Sequence, residues 1–328
     1  MILLNKFFSE LIDYYALNKL HRKKSIESQF CEIVSSPCSI DELNVFYPSV
    51  QIPSIEFTTE MQQNNYNIGK YKFISQINGE LCNKYSIGKF YKTNTNSVNI
   101  VLVHGWRMDS TEKLENIFQN NFLNKGYNIY YFTLPFHLDR TPNESLYSGE
   151  YLISANVERM LISIKQAVTD LRALLLWLKN KGNKTILIGV SLGGFITNLT
   201  SILEDKFDAL ISVFYANDIA FTIWNTIPGK HIKEDLKNNS FTYEKLKEYL
   251  KIINPSNFKS ILPKERILLL SGVYDKYVLN EDSEKLWNAW ENPRRIVYSC
   301  GHAGIVLYKN RIAKDTNSFI KDILVQDV

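Results

Sequence analysis

Residues Thr185-Ile186-Leu187-Ile188-Gly189-Val190-Ser191-Leu192-Gly193-Gly194 constrain this chain more than any other stretch. An apolar, β-branched run passes directly into the helix-compatible Gly194-Phe195-Ile196-Thr197-Asn198-Leu199, so the segment reads as strand, sharp turn, helix. A serine held at the apex of such a turn in a strained backbone leaves no room for side chains two positions before or after it. Gly189 and Gly193 stand at those places. Ser191 would then lift its hydroxyl above a sheet edge, with the N–H of Leu192 and the helix N-terminus facing any negative charge that develops there.

The rest of the chain reads as a sheet built around that strand. Val98 to Val103 is a near-continuous apolar run that stops at His104-Gly105-Trp106, as a strand buried on both faces does. A second strand spans Ile129 to Leu134 and is closed by Pro135. Val157, Met160, Leu161, Ile164, Val168, Leu171, Leu175 and Leu178 then mark one face of a long helix that ends near Lys181-Gly182. Further strands at Ala209–Tyr215, Ile267–Ser271 and Ile296–Ser299 alternate with helical patterns. This order specifies an α/β fold: a doubly wound, mostly parallel sheet with right-handed crossovers. Upstream, 69–77 and 84–92 read as two early strands joined near Asn78-Gly79, a hairpin turn signal.

Two segments depart from the alternation. Residues 1–66 form an N-terminal extension: an amphipathic helix to about Leu20, with Leu4, Phe8, Leu11 and Tyr15 on its apolar face and the basic cluster His21 to Lys24 behind it, then an irregular stretch broken by Pro37, Pro48 and Pro53. That helix is expected to dock on the main domain; acidic residues interrupting its face argue against a peripheral membrane contact. Residues 67–328 form the main domain. Within it, about 217–263 read as a small cap insertion, whose large apolar residues Phe221, Ile223 and Trp224 are expected to wall a pocket, or else to anchor the cap to the core.

Composition narrows the partners. Thirty-eight basic residues against 34 acidic ones, with no basic stripe interleaved with aromatics, exclude a nucleic-acid surface. The four cysteines, Cys31, Cys38, Cys82 and Cys300, lack zinc-ligand spacing, and no disulfide pairing is specified. Without a signal-peptide core or an apolar run of about 18 residues, the expectation is a cytoplasmic protein with no membrane span.

A serine hydroxyl needs a positioned base, and the base an orienting carboxylate. Five histidines are available: His21, His104, His137, His231 and His302. His302 lies in Ser299-Cys300-Gly301-His302-Ala303-Gly304, just beyond one strand, and Asp275 lies in Ser271-Gly272-Val273-Tyr274-Asp275, just beyond another. Each residue alone has a structural alternative, as a cap or a turn residue, and His137 is the rival base. Jointly they give the order Ser191, Asp275, His302.

At these residues the sequence resembles the α/β-hydrolase superfamily over roughly 67–325, whose members carry nucleophile, acid and histidine in that order. The resemblance implies an oxyanion hole made by the N–H groups of Trp106 and Leu192, in the single-glycine His104-Gly105-Trp106 form. It implies no cofactor and no metal, and the serine weighs against the dehalogenase and epoxide hydrolase chemistry that uses an aspartate there. The segment Leu134 to Pro142 with Ser148-Gly149-Glu150 is similar to a group of largely uncharacterised bacterial hydrolases, and its polar content, His137 included, is expected to reach the site. The expected activity is cleavage of a small-molecule carboxylic ester by a Ser191–His302–Asp275 triad. Amide hydrolysis, acyl transfer and a non-catalytic binding scaffold remain as alternatives.

Overall fold

A computed structural model describes residues 2–23, 27–63, 65–93 and 97–326. Nine strands form one sheet: β1 (Glu56–Gln62), β2 (Tyr66–Ile74), β3 (Tyr85–Thr93), β4 (Asn99–Val103), β5 (Asn128–Phe132), β6 (Thr185–Val190), β7 (Ala209–Val213), β8 (Ile267–Gly272) and β9 (Arg294–Tyr298), in the spatial order β1-β2-β3-β5-β4-β6-β7-β8-β9. From β5 across to β9 every pairing is parallel, while β1, β2 and β3 add an antiparallel wing through β5. Strands β4 to β8 are buried at every residue, which is why they read as unbroken apolar runs.

The longer helices are α1 (Ile2–His21), α2 (Val157–Lys179), α3 (Leu192–Leu203), α4 (Ile219–Asn225), α5 (Lys230–Asn238), α6 (Tyr243–Leu250), α7 (Asn280–Ala289) and α8 (Lys309–Gln326). The side chain of Asn156 caps α2 by accepting from the N–H of Arg159, and Gly182, at φ +82°, follows its C-terminus. Helices α2 and α3 fill one face of the sheet around Val168, Leu171, Phe195 and Leu187; α8 and the helical turns of 112–123 fill the other around Phe118, Ile188 and Phe319. Both faces are therefore dry, as a doubly wound sheet requires.

Three local expectations are corrected. The stretch expected to be irregular up to residue 66 contains β1, an edge strand exposed at all of its residues; only Phe57 packs inward, against Phe90 and Trp177, too little for an alternation of apolar and polar residues to reveal it. Strands β2 and β3 pair as expected, yet Asn78-Gly79 makes no tight hairpin turn. Residues 75–84 instead fold down onto α2, where Gln166 donates to the carbonyl of Asn83 at 2.8 Å and Ser75 bonds Asp170 at 2.8 Å.

The third correction concerns α1, which turns the opposite face inward. Phe8, Leu11 and Tyr15 are 52%, 53% and 73% exposed, whereas Asp13 is 0% and Leu17 1% exposed. A carboxylate goes inward only where donors await it, and the end of the sheet supplies them, as described below. Lys24 and the side chain of Leu4 lie outside the described residues. No described helix is long and apolar enough to cross a membrane.

Candidate active site

Ser191 stands between β6 and α3 with φ 57° and ψ −117°, a conformation that side-chain-bearing residues rarely adopt and that costs on the order of 1–3 kcal/mol. Its surroundings hold it there. The Ser191 N–H donates to the Val213 carbonyl at 2.9 Å, and its own carbonyl accepts from Phe195 and Ala216 at 3.1 and 3.3 Å. The flanking glycines are obligatory: a Cβ on Gly189 would lie 2.3 Å from the Gly193 carbonyl oxygen, and one on Gly193 would lie 2.2 Å from that of Val103.

His302 and Asp275 arrive from the ends of β9 and β8. His302 Nε2 is 3.0 Å from Ser191 Oγ, and His302 Nδ1 is 2.7 Å from Asp275 Oδ2. An ionised carboxylate only accepts, so Nδ1 carries the proton and Nε2 is left to accept from the serine hydroxyl. The other carboxylate oxygen, Oδ1, accepts from the N–H groups of Tyr277 and Val278, both at 2.8 Å, which fixes its plane. Burial alone would lower the pKa of the imidazole, but the charge of Asp275 and its hydrogen bond, with Asp13 adding to them, raise it overall. Two aromatic rings hold the imidazole in place: Tyr277 stacks on it at 4.6 Å and 16°, and Phe214 meets it edge-on at 6.0 Å.

Trp106 and Leu192 share a cavity with Ser191. As the first residue of α3, Leu192 has no intrahelical acceptor for its N–H. The Trp106 indole donates to the Gly149 carbonyl at 2.8 Å, which anchors the side chain and with it the loop after β4. The cavity measures about 60 Å³ and is walled mainly by Ile219, Ile223, Ile232 and Val278. Trp106, Ile153, Pro228 and Ile232 also border a second chamber of about 430 Å³, whose polar wall includes His21, Arg107, Glu150 and Asp235.

Of the other residues expected at the site, His137, Phe221 and Trp224 do not line the cavity. His137 is fully buried; its Nδ1 donates to the Pro135 carbonyl at 2.8 Å, burial holds its pKa well below the ordinary value, and it does not line the cavity. His104 is a loop-structuring residue, donating from Nδ1 to the Gly105 carbonyl and accepting from the Leu134 N–H, with its pKa lowered to about 4 by burial. Arg140 turns inward to the Thr133 carbonyl and to Asp170, while Asp139 lies on the surface, where it pairs with Lys70 at 2.8 Å; of the second motif only Glu150 faces the larger chamber. Phe221 packs under Lys285, and Trp224 stacks on Tyr243 with Lys233 above it. On α4 Ile219 and Ile223, four residues apart and hence on one face, reach the cavity, with Thr222 beside them. Of the three residues expected to wall the pocket, Ile223 lines the cavity and Phe221 and Trp224 do not. Among the described residues no group of three or more His, Cys, Asp or Glu side chains is placed to hold a metal ion.

The parallel sheet, the strained serine after β6, and the acid and histidine after β8 and β9 together identify the architecture. The chain has the α/β-hydrolase fold. Solved structures similar to it include acetyl xylan esterase 1 from a Thermoanaerobacterium species (TM-score 0.61, 16% identity, 82% of this chain and 90% of that one) and an acetyl xylan esterase from a Paenibacillus species (TM-score 0.63, 12% identity, 92% and 99%). A further one is the acylaminoacyl peptidase of Pyrococcus horikoshii, with TM-score 0.55 and 14% identity over 77% of this chain but only 40% of that protein. At these identities the likeness concerns the α/β-hydrolase fold itself. No protein-family model matches the sequence. In sequence, the chain is 46% identical over 116 residues to the uncharacterized protein YdjC of Bacillus subtilis, covering all of YdjC and 35% of this chain, so the two belong to one family.

The sequence marks Asp13 only as one of the acidic residues that interrupt the N-terminal helix, and it gives Tyr277 no role. Tyr277 lies two residues after Asp275, in a loop whose path no pattern announces. Asp13 is an acidic residue among apolar ones on a helix, which ordinarily marks the solvent side.

Proposed function

We propose that this protein is a serine hydrolase that cleaves carboxylic esters with a short acyl group. The observation that carries the reading is the continuous relay Ser191 Oγ, His302 Nε2, His302 Nδ1, Asp275 Oδ2, with contacts of 3.0 and 2.7 Å and a tautomer already set for proton uptake. As Ser191 attacks the ester carbonyl, His302 takes its proton and Asp275 stabilises the imidazolium. The N–H groups of Trp106 and Leu192 receive the oxyanion. His302 then returns the proton to the departing alkoxide, and a water molecule, activated by the same imidazole, releases the acid from Ser191. The acyl group sits in the apolar cavity beside Ser191, while the alcohol portion faces the polar 430 Å³ chamber. Residues 217–263 act as the cap that closes this space.

The test combines a fluorophosphonate label with turnover of p-nitrophenyl acetate. Wild-type protein is expected to be labelled and to turn over, and Ser191→Ala to lose both, the turnover by several orders of magnitude. A wild-type protein inert to the label would point to a binding scaffold. Labelling that persists in Ser191→Ala would remove Ser191 from the mechanism.

A further inference from the structure

We infer that Asp13, from the N-terminal helix, is a positioning residue that fastens the loops bearing Asp275 and His302 to each other. The inference rests on the triad proposed above and extends it to a part of the chain outside the sheet. Asp13 Oδ2 accepts from the N–H of Lys276 at 3.0 Å and from that of His302 at 2.9 Å, and Oδ1 accepts from the N–H of Ala303 at 2.8 Å. One carboxylate thus bridges the residue after the acid, the histidine itself and the residue after it. Charge-assisted bonds of this kind are the strong ones, and here they are closed to water.

The surroundings are shaped for that carboxylate. A Cβ on Gly301 would lie 2.5 Å from Asp13 Oδ2, so only glycine before His302 lets the acid approach the backbone. Glu10, one turn earlier on α1, pairs with Lys276 Nζ at 2.9 Å, tying the helix to the Asp275 loop a second time. The far end of α1 is held too, His21 Nε2 donating to the Ile227 carbonyl at 2.9 Å. Helix α1 also lies against the short helical turn Ala303–Val306, which follows His302. Asp13 borders neither cavity, which separates its role from substrate contact.

Its charge also acts on the base. The groups that surround the His302 imidazole are Asp275, Asp13, Lys113, Ser191 and the stacked Tyr277, with the buried Cys300 thiol adjoining the two carboxylates. Asp13 contributes to the upward shift of His302. In Asp13→Asn the amide nitrogen replaces one acceptor and faces a backbone donor, while the negative charge disappears. The acid limb of kcat/KM should therefore move to lower pH, and kcat should fall roughly 10- to 100-fold with KM nearly unchanged, as expected when catalytic groups shift without loss of binding.

The experiment measures kcat, KM and the pH profile of p-nitrophenyl acetate hydrolysis for wild type and Asp13→Asn, with near-ultraviolet circular dichroism as the check on folding. Deuterium exchange at the His302 and Ala303 amides is measured in the wild-type protein. Slow exchange there, together with a lower kcat and a shifted limb in the folded variant, supports the role. A folded variant with wild-type kcat and an unmoved limb overturns it. If the variant does not fold, the wild-type exchange decides: amides exchanging at the rate of an open loop overturn the staple, and protected amides support it. Absence of wild-type turnover at every pH would refute the esterase reading, while the exchange measurement would still report on the staple.

Discussion

The division between a small acyl cavity and a large polar chamber makes Ile232→Ala the most informative single change. Ile232 is half-buried on α5 and lines both spaces, so it forms part of the partition between about 60 and about 430 Å³. Wild-type enzyme should prefer p-nitrophenyl acetate to butyrate, because the extra methylenes find no room. Trimming Ile232 lets the acyl chain pass into the chamber. Each methylene that becomes buried contributes up to about 0.8 kcal/mol, so the two that distinguish butyrate from acetate gain at most about 1.6 kcal/mol, or roughly 15-fold in relative kcat/KM. The stability cost should be about 1–2 kcal/mol, below the range for a fully closed core because the site is half-open. Trp224→Ala is the control: it removes a larger ring that borders neither space, so it should lower the melting temperature and leave the acyl preference alone. The assay is kcat/KM for acetate, butyrate and octanoate esters in the three proteins. A butyrate-to-acetate ratio unmoved in Ile232→Ala, or moved more by Trp224→Ala, would refute the assignment of the acyl group to this cavity.

Two further outcomes follow from the charges. His302 acts as a base only when neutral, and its pKa is raised above the ordinary 6.5, so kcat/KM should climb with pH through a midpoint above that value; a midpoint below it would show the base to be a group not paired with Asp275. Arg140 and Asp170 form a fully buried pair at 3.8 Å, with Asp170 raised to about 6 by burial, so Arg140→Met should destabilise the fold by about 3–5 kcal/mol in denaturant titration by stranding a buried carboxylate, and adding Asp170→Leu should recover most of that; no recovery would mean that the bonds of Arg140 to Thr133 and Asn83 carry the cost.

The parallel half of the sheet was legible because its strands are buried on both faces and so cannot hide: β4, β6, β7 and β8 each appear as an uninterrupted apolar run. The edge strand β1 was not, since a strand that turns only Phe57 inward lacks the period that betrays one. The same distinction governs the site. Ser191 announces itself through the two glycines that its backbone needs, and Asp275 and His302 follow two late strands whose parallel pairing brings their ends together. The acyl cavity is harder to read, because four residues of α4 that look equally apolar divide by helical angle into Ile219 and Ile223 on one side and Phe221 and Trp224 on the others.

Long-range polar contacts leave no periodic trace at all, and they account for the largest misreading. An acidic residue on an amphipathic helix is assigned to solvent because an unpaired carboxylate in an apolar setting is costly, and that reasoning places Phe8, Leu11 and Tyr15 inward and Asp13 outward. The structure satisfies the same physics in the opposite orientation, since three backbone N–H groups at the ends of β8 and β9 would themselves lack acceptors if α1 turned its apolar face toward them. Donor and acceptor are some 260 to 290 residues apart in the chain. The helix therefore docks by charge rather than by its apolar stripe, and a segment that reads as an appendage becomes part of the frame that holds the proposed base.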